Sequence, residues 1–212
     1  MIRETFAVGP LDCNCTVVAD EASGDAIVVD GGDGVDRVAA LLAERGWRAR
    51  FLIHTHAHLD HIGDLGRLRE TTGAKGLLHP ADLPLYAALG EQARWIGLPF
   101  APPVTTVDGE LHDGQVVEAG SLRIGVMHTP GHTPGSVCFS LDAAGQTTLI
   151  TGDTLFAGAI GRWDLGGTSM NDIVASIRRK VLPFPDATLV IPGHGPFTTV
   201  GNERAYNPYL AG

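Results

Sequence analysis

Four side chains of metal-ligating type fall within six residues, in His56-Ala57-His58-Leu59-Asp60-His61, directly behind the apolar run Phe51-Leu52-Ile53. No other stretch restricts the fold so strongly. The apolar run reads as a buried strand. The turn behind it must aim four side chains at one small volume, and distant parts of the chain must complete a shell around them. Histidine is the commonest neutral metal ligand, and aspartate supplies an oxygen that zinc accepts. A polar loop of solvated histidines would require four independent coincidences.

Three further residues have the same setting. His132 lies in Thr129-Pro130-Gly131-His132-Thr133-Pro134-Gly135, behind a strand expected over Leu122 to Met127. Asp153 follows the strand residues Leu149-Ile150, and His194 follows Leu189-Val190-Ile191 between two glycines. Ligands gather at strand ends because loops project there from a rigid base. Glycines beside a ligand let backbone approach an ion without a Cβ clash. His56, His58, Asp60, His61, His132, Asp153 and His194 together offer enough donors for two metals.

The rest of the pattern alternates strands with helices. Ala26 to Val29 reads as a strand ending at Asp30. Val35 to Arg45 has helical spacing with Gly46 at its C′ position, and His61 to Thr72 reads as one helix ended by Gly73. Leu83 to Pro103 is expected to be a short helix and an extended connection. Turn-punctuated strands follow over Leu111 to Phe139, then a strand over Thr147 to Thr151, a helix over Ser169 to Val181 and a last strand over Thr188 to Ile191. Strands flanked by helices predict an α/β fold with covered sheets. The 212 residues suit one domain over 1–212, with no solenoid repeat.

A net charge of −9 argues against a nucleic-acid partner. No apolar stretch is long enough to span a membrane, and the N-terminus lacks a signal-peptide shape, so a cytoplasmic location is the expectation. Three cysteines in such a chain do not make a disulfide framework.

The seven residues, in this order, resemble the metallo-β-lactamase fold superfamily, and the resemblance covers nearly the whole chain. Within it the chain is similar to small bacterial glyoxalase II-like (hydroxyacylglutathione hydrolase-like) enzymes. The carriers are Thr151-Gly152-Asp153-Thr154-Leu155-Phe156, Gly161-Arg162-Trp163-Asp164 and Asn207-Pro208-Tyr209. The resemblance implies a four-layer αβ/βα sandwich with a metal site at one edge of its two sheets. It implies two divalent ions, zinc first, with iron or manganese as alternatives. His56, His58 and His132 would hold one ion, Asp60, His61 and His194 the other, and Asp153 would bridge them with a hydroxide. Asp60 and His61 would belong to the catalytic machinery. The activity implied is hydrolysis of a small thioester such as S-D-lactoylglutathione. Class B1 lactamases usually carry a cysteine near the position of Asp153, so β-lactam cleavage is not expected as the main role.

The given chain ends at Gly212, eighteen residues after His194, so the glutathione-binding residues of longer glyoxalase II enzymes cannot be carried over. His54 is expected to share a face with His56 and to act behind the ligands or in the core. His79, His112 and His128 read as surface or structural. Asp30 could orient a ligand histidine or cap the Gly31-Gly32 turn. Arg162 and Asp164 read as an internal ion pair, and Trp95 as packed rather than overhanging the site. Cys13 and Cys15 are expected on opposite faces of a strand, neither paired nor binding metal. Two competing readings are a mononuclear iron persulfide dioxygenase and a non-enzymatic metal-binding module.

Overall fold

The computed structural model describes residues 1–99, 101–143, 145–164 and 168–210. Its first sheet runs β1 (Ile2–Val8), β2 (Cys13–Ala19), β3 (Asp25–Val29), β4 (Arg48–Ile53), β5 (Lys75–Leu78) and β6 (Gly109–Glu110), in that spatial order. β1 to β3 pair antiparallel, and β3 to β6 pair parallel. Parallel neighbours need a crossover. Helix α1 (Val35–Arg45) supplies the one between β3 and β4. It buries Val35, Val38 and Leu42 and ends where Gly46 turns left-handed at φ 67°, as its sequence predicts.

The helix expected over His61 to Thr72 is instead two, α2 (Leu59–Ile62) and α3 (Leu65–Thr72), broken at Gly63-Asp64. The cause is tertiary. The His61 carbonyl accepts the Gly32 N–H and faces His54 Nδ1, while the Gly32 carbonyl accepts the Asp64 N–H. With those groups committed to the end of β3, the helix ladder cannot run through. The short helix expected after Leu83 is also a pair, α4 (Leu83–Ala87) and α5 (Leu89–Trp95), before an irregular connection. Phe100, in that connection, lies outside the described residues, as does Gly212.

The second sheet contains β7 (Val116–Ala119), β8 (Leu122–His128), β9 (Val137–Ala143), β10 (Gln146–Gly152), β13 (Leu189–Pro192) and β14 (Thr198–Thr199), in the order β14-β13-β10-β9-β8-β7. A small hairpin, β11 (Leu155–Phe156) with β12 (Ala159–Ile160), hangs from the end of β10. Helix α6 (Met170–Ser176) is capped by Ser169 and continues as a π turn over Ile177–Val181; α7 (Val200–Tyr206) closes the described chain.

Alternation along the strands sorts the core into layers. Ile27, Val29 and Ile53 pack against Ile124, Phe139 and Ile150 of the other sheet. Val28 and Leu52, on the opposite face, meet Val38 of α1 and Leu68 of α3. On the far side of the second sheet, Leu149 and Val190 meet Ile173 and Val200. Helices, sheet, sheet, helices: this is the four-layer αβ/βα sandwich. Cys13 and Cys15 depart from expectation. Residues two apart on a strand share a face, and both side chains lie in the helix-side layer. Among the described residues no helix is long and apolar enough to cross a membrane.

Four chain segments leave parallel strands at one edge of this sandwich. β3 delivers Asp30, β4 delivers His54 to His58, β10 delivers Asp153 and β13 delivers His194. The β8–β9 loop adds His132 from the same edge, where the Val137 N–H reaches the Thr55 carbonyl across the sheets at 2.8 Å.

Candidate metal centre

All seven residues expected as ligands meet there, in two groups. His56, His58 and His132 form one. Asp60, His61 and His194 form the other, together with Cys13. Asp153 stands between the groups. Its Oδ2 lies 3.6 Å from His132 Nε2, while Oδ1 lies 3.4 Å from His61 Nε2 and 3.7 Å from His194 Nε2.

Four of the five rings are oriented from behind. His132 Nδ1 donates to the Arg162 carbonyl at 2.8 Å, and His194 Nδ1 to the Leu11 carbonyl at 2.9 Å. His61 Nδ1 faces Asp30 Oδ2 at 3.0 Å. The Thr55 hydroxyl donates to Asp30 at 2.7 Å, so its lone pair is left to take His56 Nδ1–H at 3.1 Å. These contacts turn the Nε2 atoms of His56, His61, His132 and His194 inward, where His194 Nε2 meets Asp60 Oδ2 at 3.0 Å. Of the two roles open to Asp30, the geometry selects ring orientation. It sits wholly buried at φ 53°, a left-handed conformation that aims one carboxylate at both Thr55 and His61.

A cation fits this donor set. His58 Nδ1 lies 2.9 Å from both His56 Nε2 and His132 Nε2, and a single proton on His58 could satisfy only one of them. Burial, then the neighbouring rings, pushes His56 well down and His58 down to about 3, so both rings are neutral near pH 7. Burial would raise Asp153, but His61, His132 and His194 hold it well below the usual carboxylate range. Its Oδ1 is buried without a hydrogen-bond partner. Beside it, a Cβ on Gly193 would collide with that oxygen, so only glycine leaves the space open.

Some supporting residues carry no sequence signal. Buried Asp82 binds both ligand loops of the first group, taking the Ala57 N–H, the Gly135 N–H and the Thr133 hydroxyl. Gln92 of α5 accepts the Leu59 N–H and donates to the Ala57 carbonyl. Asn14 holds the His194 loop through the carbonyls of Pro192 and Gly195. Nearly all their partners are backbone groups distant in sequence, which no spacing rule reveals. Cys13, expected neither to pair nor to bind metal, stands in the second ligand group, with Sγ 3.5 Å from His61 Nδ1; burial pushes its pKa up to about 11.

Other expectations are corrected or placed. β4 stops at Ile53, so His54 shares no strand face with His56. It is buried, and its Nδ1 meets the His61 carbonyl at 3.0 Å, behind the ligands. His79, His112 and His128 gather on the surface, with His79 and His128 stacked 4.1 Å apart. Arg162 and Asp164 pair with each other, as expected, at an exposed position, and Trp95 is 70% exposed rather than packed. Both line a cleft of about 990 Å³ that opens over His58, Asp60, His132, Asp153 and His194.

Comparison with known proteins agrees with this geometry. The profile of the Metallo-beta-lactamase superfamily matches residues 8–194. The chain is 33% identical to hydroxyacylglutathione hydrolase GloC of Haemophilus influenzae, over 98% of this chain and 97% of the relative. It is 29% identical to the mitochondrial persulfide dioxygenase ETHE1 of Bos taurus, over 99% and 76%. Among solved structures, the BLEG-1 B3 metallo-beta-lactamase superposes with a TM-score of 0.90 at 33% identity, covering all of both chains. TTHA1623 in a di-iron-bound form gives 0.85 at 36% identity, over 98% of this chain and 100% of that one.

Proposed function

The chain belongs to the metallo-beta-lactamase superfamily, and from that premise we propose that it is a dinuclear metallo-hydrolase cleaving a small thioester such as S-D-lactoylglutathione. Asp153 carries the proposal: its two oxygens face different ligand groups, as a carboxylate shared by two cations must. His56, His58 and His132 would hold one divalent ion, and Asp60, His61 and His194 the other. Zinc is the metal proposed, because imidazole and carboxylate donors suit it; the same donors accept iron or manganese. Bound together, two such ions would supply a hydroxide near neutral pH and a Lewis acid for the acyl carbonyl.

The chain's own residues do the rest. Asp60 and Asp153 offset the charge of the pair. Asp30 and the carbonyls of Arg162 and Leu11 hold three rings in the ligating tautomer. The cleft positions the acyl carbon over the metal centre. In the overall reaction a C–O bond forms, the C–S bond breaks, and the thiol leaves with a proton.

A second reading, persulfide oxidation at a single iron, has the likeness to bovine ETHE1 in its favour. Chain purified and loaded with zinc should hydrolyse S-D-lactoylglutathione and consume no oxygen with glutathione persulfide. Oxygen uptake by an iron-loaded chain that leaves thioesters intact would select the second reading.

A further inference from the structure

Three of the large apolar side chains left exposed on this protein line one cleft. Leu11, Trp95 and Ile96 are 49%, 70% and 41% exposed, and all three line the cleft above the metal centre. Exposed apolar groups gathered beside a site, rather than scattered singly, mark a surface that binds something. Phe156 and Ile160 of the β11–β12 hairpin line the same cleft.

This wall is built in register with the metal ligands. Ala88, Gln92 and Trp95 follow helical spacing on one face of α5 and the residue before it, and all line the cleft. Gln92 ties that face to the ligand loop through the Leu59 N–H at 2.9 Å and the Ala57 carbonyl at 3.1 Å. Trp95 therefore stands about one helical turn from a residue bonded to the His58–Asp60 segment.

The charge around the wall is unsuited to an anionic partner. Among the described residues lining the cleft, Arg162 is the only Lys or Arg. Its guanidinium is taken by Asp164, at 3.0 and 3.1 Å, and lies 5.9 Å from the Trp95 ring centre. Glu91 adds a further carboxylate to the same lining. Glutathione brings two carboxylates of its own, and among the described residues of this wall no unpaired cation would meet them.

We infer that the cleft selects thioesters whose non-reacting part is apolar and uncharged and lies against the Trp95–Ile96 wall, with Trp95 the specificity-determining residue. This rests on the thioesterase reading and narrows it. Apolar burial against the wall lowers the free energy of bound substrate, and an uncharged thiol portion avoids the carboxylate of Glu91.

The test uses two substrates with one acyl group: S-D-lactoylglutathione and the D-lactoyl thioester of benzyl mercaptan. With the metal-loaded full chain, the benzyl thioester should show kcat/KM at least about tenfold higher. Trp95→Ala should lower that value about tenfold, mainly through KM, and change the glutathione thioester less than about twofold. A benzyl thioether analogue that cannot be hydrolysed should quench tryptophan fluorescence in the native chain and not in Trp95→Ala. Preference for the glutathione thioester, or equal loss on both substrates in the variant, overturns the inference. If neither thioester is cleaved but the analogue quenches Trp95, the apolar cleft stands and the thioesterase reading falls.

Discussion

Asp82 Oδ2 accepts the backbone N–H of Ala57 at 3.0 Å, and the same carboxylate takes the Gly135 N–H at 2.6 Å and the Thr133 hydroxyl at 2.8 Å. One buried side chain thus joins the loop carrying His56 and His58 to the loop carrying His132. Asp82→Ala leaves two buried N–H groups without acceptors, which should cost about 2–4 kcal/mol of stability. The first ligand group should also lose its ion while the second keeps one. Denaturant titration and elemental analysis read the two effects, and equal loss of both ions would show that Asp82 does not act on the first group alone.

Metal content should reach about two ions per chain when the site is full. Removal by a chelator should abolish hydrolysis and lower Tm, because ligands that bind only the folded state stabilise it. Restoring zinc should restore both. A titration that saturates at one ion, with no weaker second step, counts against the dinuclear centre.

Asp153→Ala should release both ions or leave one loosely held, since it removes the carboxylate between the two groups. His54→Ala should cost less activity, because His54 meets only the His61 carbonyl from behind. Comparable activity in the two variants would show that Asp153 is not the bridge.

Gly193→Ala should prevent metal binding. The new methyl would collide with Asp153 Oδ1 and lie 2.8 Å from His61 Cε1 and 3.1 Å from the Gly152 backbone carbon, so the Asp153 carboxylate would have to leave its place between the ligand groups. A Gly193→Ala chain that binds metal normally would mean that the His194 loop is looser than this geometry.

Burial, with His128 and His112 nearby, lowers the pKa of His79 to about 4. An unfolded chain takes up that proton near 6.5, so the folded state is disfavoured as pH falls between the two values. The contribution of neutral His79 is present above about 6.5 and lost as pH falls through about 4. His79→Gln should flatten the fall in stability between pH 7 and 5, measured by denaturation of the metal-free chain. An unchanged slope would place that fall on other groups.

Much of the sandwich is legible in the chain. Helix α1 matches Val35 to Arg45 with Gly46 as its cap, because apolar spacing and a left-handed glycine are local signals. The break between α2 and α3 is not legible. It comes from Gly32 reaching His61 and Asp64 from another strand end, and local spacing carries no trace of that contact. The exposure of Trp95 is hidden for the same reason: nothing near it in sequence shows that it borders a cleft.

Which groups gather at this centre follows from the chain alone. Ligand chemistry belongs to residue types, and His56, His58, Asp60, His61, His132, Asp153 and His194 follow strands whose apolar runs are plain in the chain. How those groups face one another follows from the folded arrangement. Asp153 turns an oxygen to each group, Asp30 and Asp82 hold rings and loops from behind, and Cys13 comes to rest beside His61. Those placements are contacts between segments far apart along the chain. They exist only once two sheets have packed and brought their strand ends to a common edge, so the arrangement depends on packing that no single stretch of residues encodes.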